Sequence, residues 1–305
     1  MLHNFVLNYV QSIARFRFKL CAKHCTKFAM QIMPHKYIFF MSKFKVCAYD
    51  SIEVDMREIA LATQLNNKGI IEYLYANVKA KIDFCKTIIT CYDDTKFAYL
   101  LFACEESFVA PCEEILKDII IEYIETVYKV DYLTRKIKNP ICDKLTFSAY
   151  IKVLALFDKT TDETALKNIL LFNQTFYMDS FLEFRLNPLK KHWDNLAELS
   201  SDNLTLFNSG TFLDVIRFLI NTMDNLVYKV KVVIKDEHYC IYNMKNKNAK
   251  IKKIAECNNS VDFITNVLNS CPNYIDIYLN TNEEYEAVSF LSNIFSNRLK
   301  VYTKC

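Results

Sequence analysis

Hydrophobic and polar positions along the chain follow two patterns, one repeating every two residues and one repeating about every 3.6 residues. The first is typical of half-buried strands and the second of amphipathic helices. Strands are predicted over 43–49, 84–92, 96–104, 228–234, 239–244, 274–279 and 299–302. Helices are predicted over 53–65, 70–82, 111–129, 145–157, 163–173, 211–227, 260–269 and 283–295, with a long helical region from 178.

Local signals place several boundaries between these elements. The turn-forming residues around Asp94 lie between two predicted strands, so those strands are predicted to form a hairpin. A second hairpin is predicted around Asp236 for the same reason. Within the long helical region Pro188 follows Asn187, and a break is predicted there because proline lacks the backbone donor that a helix interior needs.

The order of the elements predicts an α+β fold, rich in helix, with small antiparallel or mixed sheets. The N-terminal part is predicted as strand, helix and hairpin, and the C-terminal part as hairpin, helix, strand, helix and strand. Three regions follow from this order: a basic amphipathic extension over 1–40, an N-terminal α+β region over 41–142, and a C-terminal helical and α/β region over 143–305.

The extension over 1–40 carries six basic residues and no acidic one, whereas the whole chain has a net charge of +3. Hydrophobic residues from Leu2 to Ile13 recur at helical spacing, so a basic amphipathic helix is predicted. Such a helix is compatible with binding to a membrane surface or to a nucleic acid, and with an organellar transit peptide. Alternatively, the segment lies upstream of the true start of the protein at Met41. We favour a start at Met41, because predicted regular structure begins sharply after it.

Glycine is scarce, with two residues in a chain of 305. Walker-type and G-x-G-x-x-G loops use several glycines to turn tightly and to bring the backbone close to phosphate. The G-x-S-x-G nucleophile elbow has a similar requirement. The usual nucleotide-binding and serine-hydrolase motifs are therefore excluded.

The 12 cysteines include no C-x-x-C motif, and the chain is much longer than a typical disulfide scaffold. They are interpreted as small buried hydrophobic residues of a reducing, cytoplasmic compartment. Cys21, His24 and Cys25 provide fewer than the four ligands of a structural zinc site, so no metal and no cofactor is predicted. No apolar run approaches the roughly 20 residues that span a bilayer, and no transmembrane segment is predicted.

Two features are candidates for a functional site, one in the long helical region and one after the C-terminal hairpin. His192 adjoins Trp193 and is interpreted as a surface histidine packed on an aromatic ring, not as an acid or base. A lysine run after the hairpin could contact phosphates: Lys245, Lys247, Lys250, Lys252 and Lys253. The run has no arginine and no aromatic residue between its lysines for base reading or stacking, so a solvated loop is favoured over a nucleic-acid site.

A series of elements in the C-terminal half resembles a known family. The segment Phe181-Leu-Glu-Phe-Arg-Leu186 opens a helix and is followed by the strands 228–234 and 274–279 and by the closing segment 297–301. In this order they resemble the sporulation-associated YtxC-like proteins of endospore-forming bacteria, clearly over 178–305 and diffusely over 41–177. Asparagine stands here where that family has loop glycines. The resemblance implies a structural or partner-contact signature formed by Phe181, Phe184, Arg185 and Leu186, and it implies no catalytic residue.

Arg185 is predicted to share an apolar helix face with Phe181, where its charge needs a carboxylate partner. The alternative is an anchor for a partner protein, since arginine beside aromatic residues is typical of interface hot spots. Together these features predict a cytoplasmic, sporulation-associated protein that acts through protein contacts and is not an enzyme. The alternative is a nucleic-acid or anionic-surface binding protein that uses residues 1–40 and Lys245–Lys253. The protein partner and the oligomeric state stay open.

Overall fold

A computed structural model describes residues 56–82, 87–137, 143–172, 175–204, 209–223, 226–235, 238–280 and 285–303. These residues have the predicted α+β fold, with helices and small sheets of mixed strand direction. They form two compact units, one with the described residues up to Leu116 and Phe172–Asp179, the other with Lys117–Leu171 and the described residues from Ser180 onward. The sequence analysis divides the chain near 142 instead. The extension over 1–40, the strand predicted over 43–49 and Cys21, His24 and Cys25 lie outside the described residues.

The first unit is built on a sheet in the order β2-β3-β1-β4. Its elements are β1 (Met56–Gln64), α1 (Lys68–Lys81), β2 (Thr87–Asp93), β3 (Phe97–Glu105) and β4 (Thr175–Tyr177). β1 pairs antiparallel with β3 and parallel with β4, which places Leu61 opposite both Leu100 and Phe176. Helix α1 packs on this sheet through residues at helical spacing, among them Ile71 and Leu74, because one stripe of the helix is apolar.

The helix predicted over 53–65 is wrong, because strand β1 occupies most of that range. Ile59, Ala60, Leu61 and Ala62 are all buried, on both faces of the sheet. A strand that is covered on both faces carries apolar residues consecutively, and such a run does not show the two-residue alternation. Pairing with β3 and β4, which are distant in sequence, determines that this segment is a strand and not a helix.

The predicted hairpin around Asp94 is confirmed as β2 and β3. The Asp94 carboxylate accepts hydrogen bonds from the backbone N–H groups of Lys96 and Phe97, both at 2.7 Å. This local capture of backbone donors is the reason that aspartate favours turns.

Asp179 connects the end of β1 to the segment that follows β4. Its Oδ2 accepts hydrogen bonds from Thr63 Oγ1 at 3.0 Å and from the Gln64 backbone N–H at 2.7 Å. Its Oδ1 accepts a hydrogen bond from Asn67 Nδ2 at 2.6 Å. One carboxylate thus satisfies donors at the point where β1 ends.

The helices that come before the second sheet are α2 (Val109–Tyr123), α3 (Lys129–Lys136), α4 (Lys144–Phe157), α5 (Lys159–Ile169), α6 (Asn187–Leu204) and α7 (Ser209–Thr222). Asp143 caps α4 by accepting a hydrogen bond from the Thr146 backbone N–H at 2.8 Å. Two π-helical turns interrupt the helices, one at Ile124–Tyr128 between α2 and α3 and one at Phe181–Arg185 before α6. The break predicted near Pro188 is confirmed, since α6 begins at Asn187.

The second unit contains a sheet in the order β7-β6-β5-β8-β9. Its elements are β5 (Val227–Lys235), β6 (His238–Met244), β7 (Lys252–Cys257), α8 (Ser260–Asn269), β8 (Pro272–Leu279), α9 (Glu286–Phe295) and β9 (Leu299–Thr303). β5 pairs antiparallel with β6 and parallel with β8. The predicted hairpin and the helix–strand–helix–strand order are confirmed, whereas β4 and β7 are strands that the sequence analysis does not predict.

Two residues in the described part of the chain have a positive φ although they are not glycine. Cys271 precedes β8 with a φ of 38°, and Ser296 follows α9 with a φ of 46°. This left-handed region favours glycine, because a Cβ atom crowds the neighbouring carbonyl there.

Candidate functional site

The faces of the second sheet differ in what covers them. Val230, Val232, Ile241, Ile275 and Ile277 are buried on the face that packs against α8 and α9. Since successive side chains of a strand alternate between faces, the residues between them form the opposite face, here named the open face. It comprises Lys229, Lys231 and Val233 of β5, Cys240, Tyr242 and Met244 of β6, Lys253 and Glu256 of β7, Tyr274, Asp276 and Tyr278 of β8, and Lys300 and Tyr302 of β9.

A stack of aromatic and basic side chains crosses the open face. The rings of Tyr278 and Tyr302 lie 4.9 Å apart at an angle of 15°, because these residues are cross-strand partners in β8 and β9. Lys231 Nζ lies 4.4 Å from the centroid of the Tyr278 ring. Tyr274 and Tyr302 stay 41% and 43% exposed, so a ligand can reach the phenol rings.

The charges of the open face are only partly neutralised. Lys229 Nζ donates to Asp276 Oδ2 at 2.8 Å, and this hydrogen bond raises the pKa of Lys229. Lys253 pairs with Glu256 on β7. Within the described part of the chain, Lys231 and Lys300 form no ion pair with a carboxylate. The face therefore keeps positive charge beside its tyrosines.

The lysine run is exposed, as the sequence analysis favours, and it also adjoins an aromatic residue of the second sheet. Lys252 and Lys253 belong to β7, and the other lysines lie in or beside the exposed connection from β6 to β7. Lys247 Nζ is 5.8 Å from the Tyr228 ring centroid. The Tyr228 ring in turn lies 5.6 Å from that of Tyr274. Strands distant in sequence supply the aromatic residues that the run itself lacks.

The tyrosines of the open face are functional candidates that the sequence analysis missed. A signal for them exists in β8, where Tyr274, Asp276 and Tyr278 alternate with the isoleucines of the buried face. The same alternation in β5 separates Lys229 and Lys231 from buried valines. Alternation shows that such residues share a face, but pairing between strands is needed to bring them together.

The segment Phe181–Arg185 forms a π-helical turn, and the ion pair expected for Arg185 is wrong. Phe181 and Leu186 are buried and are joined by a hydrogen bond from the Leu186 N–H to the Phe181 carbonyl oxygen at 3.2 Å. Phe184 is 64% exposed, and Arg185 is exposed without an ion pair among the described residues. The wider π-turn puts residues five apart on the buried side, so Arg185 does not share the face of Phe181.

A second group of polar residues, here named the buried cluster, surrounds the other π-turn. It contains Glu125, Lys129, Lys152, Asp162 and Trp193, all buried. Lys129 Nζ and Trp193 Nε1 both donate to Asp162 Oδ2, at 2.7 and 2.9 Å. Lys152 Nζ donates to the Thr126 carbonyl oxygen at 2.9 Å. These contacts hold α3, α4, α5 and α6 in one arrangement.

Glu125 is the least satisfied member of the buried cluster. Neither carboxylate oxygen has a hydrogen-bond partner, and the nearest cation, Lys159 Nζ, lies 3.6 Å away. Burial raises the pKa of Glu125 to about 8, and it lowers the pKa of Lys152 to about 8, with the charge of Lys159 as a second cause. These shifts fit an acid or a base, yet neither residue lines either of two clefts in the described chain, of about 410 and 300 Å³.

The other candidates from the sequence are His192 with its neighbour Trp193 and the cysteines. His192 Nε2 lies 3.1 Å from Asp158 Oδ2, while Trp193 is fully buried. Cys104 and Cys112 are buried free thiols, and burial raises the pKa of Cys104 to about 12. Among the described residues no group of His, Cys, Asp or Glu is arranged to hold a metal ion. None of the described helices is long and apolar enough to cross a bilayer.

Comparison with known proteins gives no relative. No family model, no curated protein and no solved structure matches the chain.

Proposed function

We propose that the chain is a non-enzymatic binding protein whose open face takes single-stranded nucleic acid. The observation that carries the proposal is the stack of Lys231, Tyr278 and Tyr302 with Lys300 beside it. Single-stranded nucleic acid offers the two groups that such a face complements, phosphates for the lysines and flat bases for the phenol rings.

Single strands fit the open face better than a duplex does. The tyrosine rings lie on a sheet and not on a projecting helix, so they favour bases that are splayed out and free to stack. In a duplex the bases are already stacked on each other, and only the phosphates would remain for the lysines. The exposed lysines between β6 and β7 extend the basic surface beside Tyr274.

Loss of one stacking ring tests the proposal directly. The Tyr302→Ala variant should bind a 12-nucleotide single-stranded DNA more weakly by about 1–3 kcal/mol, the usual contribution of one base stacked on an aromatic side chain. Fluorescence anisotropy with the full chain measures the affinity. Tyr177→Ala is the matched control, since Tyr177 is exposed to a similar degree but belongs to the first unit. Equal affinities of wild type and Tyr302→Ala would contradict the proposal.

The salt dependence of the same titration tests the role of the lysines. Lys300→Gln should reduce the slope of log K against log salt by about 0.7, the share of one phosphate contact on a single strand. Lys79→Gln, on the exposed side of α1, removes the same charge elsewhere and should leave the slope unchanged. A full chain compared with one that starts at Met41 measures what the basic extension adds.

Contact with a protein partner in a sporulating cell is the second candidate function. It is favoured by the exposed side chains of Phe184 and Arg185, which adjoin each other on the π-turn of the family signature. Phe184→Ala should leave the binding of single-stranded DNA unchanged, because Phe184 is not part of the open face. Weaker DNA binding by Phe184→Ala would mean that the signature and the open face act on one ligand.

A further inference from the structure

Asp276 occupies the centre of the open face, between Tyr274 and Tyr278 on β8. In the register of the sheet it pairs with Lys231 on one side and with Lys300 on the other. Its side chain is 12% exposed, and its Oδ2 accepts the hydrogen bond from Lys229. The carboxylate is therefore surrounded by the lysines and rings that would hold a nucleic acid.

A carboxylate at this position acts differently on the two parts of a nucleotide. It repels phosphate, so it does not contribute to the binding of the backbone. An ionised carboxylate is also an acceptor without a donor, so it pairs only with groups that carry N–H or O–H. A base stacked on the exposed ring of Tyr274 would bring its edge next to such an acceptor.

Cytosine and uracil present opposite chemistry to an acceptor. The 4-amino group of cytosine donates, and pairing of this amino group with aspartate or glutamate is a known form of base readout. Uracil has a carbonyl oxygen at the same position, and its single N–H lies between two carbonyl oxygens that a carboxylate repels. The two bases are otherwise alike in size and in the flat surface that they offer for stacking.

We propose, on the basis of the proposed function, that Asp276 is a specificity-determining residue that makes the open face prefer bases with an amino group, cytosine over uracil. The lysines and tyrosines bind any single strand, and Asp276 selects among the bases that stack beside it.

The experiment compares two single-stranded DNA 12-mers, oligo(dC) and oligo(dU), which carry the same phosphates and differ at the base edge. The full wild-type chain should bind oligo(dC) about tenfold more tightly than oligo(dU) in an anisotropy titration at pH 7.5. Asp276→Asn should bring the two affinities within about twofold of each other, because an amide offers a donor and an acceptor to either base.

Glu256→Gln is the matched control, since it removes one negative charge from the same face at β7 and away from the centre. It should raise the affinity for both oligonucleotides while the preference for oligo(dC) stays. Lys229→Met keeps the Asp276 carboxylate and removes its ion-pair partner, so the preference for oligo(dC) should stay or grow. This variant tests the inference even if Asp276→Asn does not fold.

The outcomes separate this inference from the proposed function. If the wild-type chain binds neither oligonucleotide, both fail. If it binds both with equal affinity, the open face binds nucleic acid but the selective role of Asp276 is refuted. A preference that survives in Asp276→Asn, or that is lost in Glu256→Gln or Lys229→Met, also refutes it.

Discussion

The buried charged residues of the second unit differ in how well each is stabilised. Lys129 and Asp162 form a direct ion pair that also includes the Trp193 N–H. Glu125 has Lys159 at 3.6 Å and no hydrogen bond, so its charged form is poorly stabilised. Removing one partner of a well-paired buried ion leaves an uncompensated charge, whereas a poorly paired acid takes up a proton instead.

This difference predicts how stability depends on pH. Since the pKa of Glu125 is raised to about 8, the folded chain keeps a proton that the unfolded chain has released above pH 4.5. The free energy of unfolding should therefore fall as pH rises from 4.5 to 8. The pKa of Lys152 is lowered to about 8, so just above pH 8 the unfolded chain holds the extra proton and stability should rise again. Above pH 9 this rise should end, because the pKa values of Cys91 and Cys104 are raised and the folded chain keeps thiol protons that the unfolded chain releases. Each limb has a limiting slope of about 1.4 kcal/mol per pH unit.

Urea unfolding at a series of pH values measures this profile, with a minimum expected near pH 8. Glu125→Gln should flatten the acid limb, and Lys152→Met should flatten the alkaline limb. Glu198→Gln changes an exposed glutamate on α6 and should keep the wild-type profile. An acid limb that is the same in Glu125→Gln and wild type would show that Glu125 does not titrate in this window.

Among the elements of the first unit, β1 depends most clearly on contacts from outside its own segment. Its apolar residues are compatible with a helix, and pairing with β3 and β4 determines that they form a strand. Asp179 then fixes the end of β1 by hydrogen bonds to Thr63, Gln64 and Asn67. The side chain of Thr63 is fully buried, so it would lose its partner without gaining water.

Asp179→Ala should accordingly lower the free energy of unfolding of the full chain by about 1–3 kcal/mol, the range for leaving a buried polar group unsatisfied. Asp179→Asn should lie between the wild type and Asp179→Ala, because the amide keeps one acceptor oxygen. Urea unfolding provides the measurement. A stability of Asp179→Ala equal to that of the wild type would mean that water replaces the carboxylate.

Most elements of the molecule could be predicted from the sequence, because periodicity, turn residues and prolines are local signals. The hairpins and the break near Pro188 are examples. β4 has three residues, too few for any period to appear. β7 contains adjacent lysines and an irregular register with β6, which hide its alternation.

The candidate site could be predicted only in fragments. Lysines and tyrosines of the open face come from strands that sequence order separates, and the sheet order β7-β6-β5-β8-β9 brings them to one surface. No local signal in the sequence predicts the π-turn at Phe181–Arg185 either. The turn is one residue wider than a turn of α-helix, so Arg185 is exposed where the regular helix predicted an apolar face. Tertiary pairing and helix irregularities are properties of the folded molecule and not of its local pattern.

The left-handed backbone at Ser296 has a consequence for the unfolded chain. A chain so poor in glycine loses less conformational entropy on folding than one with flexible turns, but it must force a serine into a conformation with φ 46° and ψ −119°. Ser296→Gly should relieve this strain, at the expense of a more disordered unfolded state, and raise the free energy of unfolding by about 1 kcal/mol. Ser292→Gly, within helix α9, gives the unfolded chain the same freedom with no strain to relieve, and should lower stability by about 0.5 kcal/mol. If urea unfolding shows the same sign for both substitutions, the entropy of the unfolded chain outweighs the strain at Ser296.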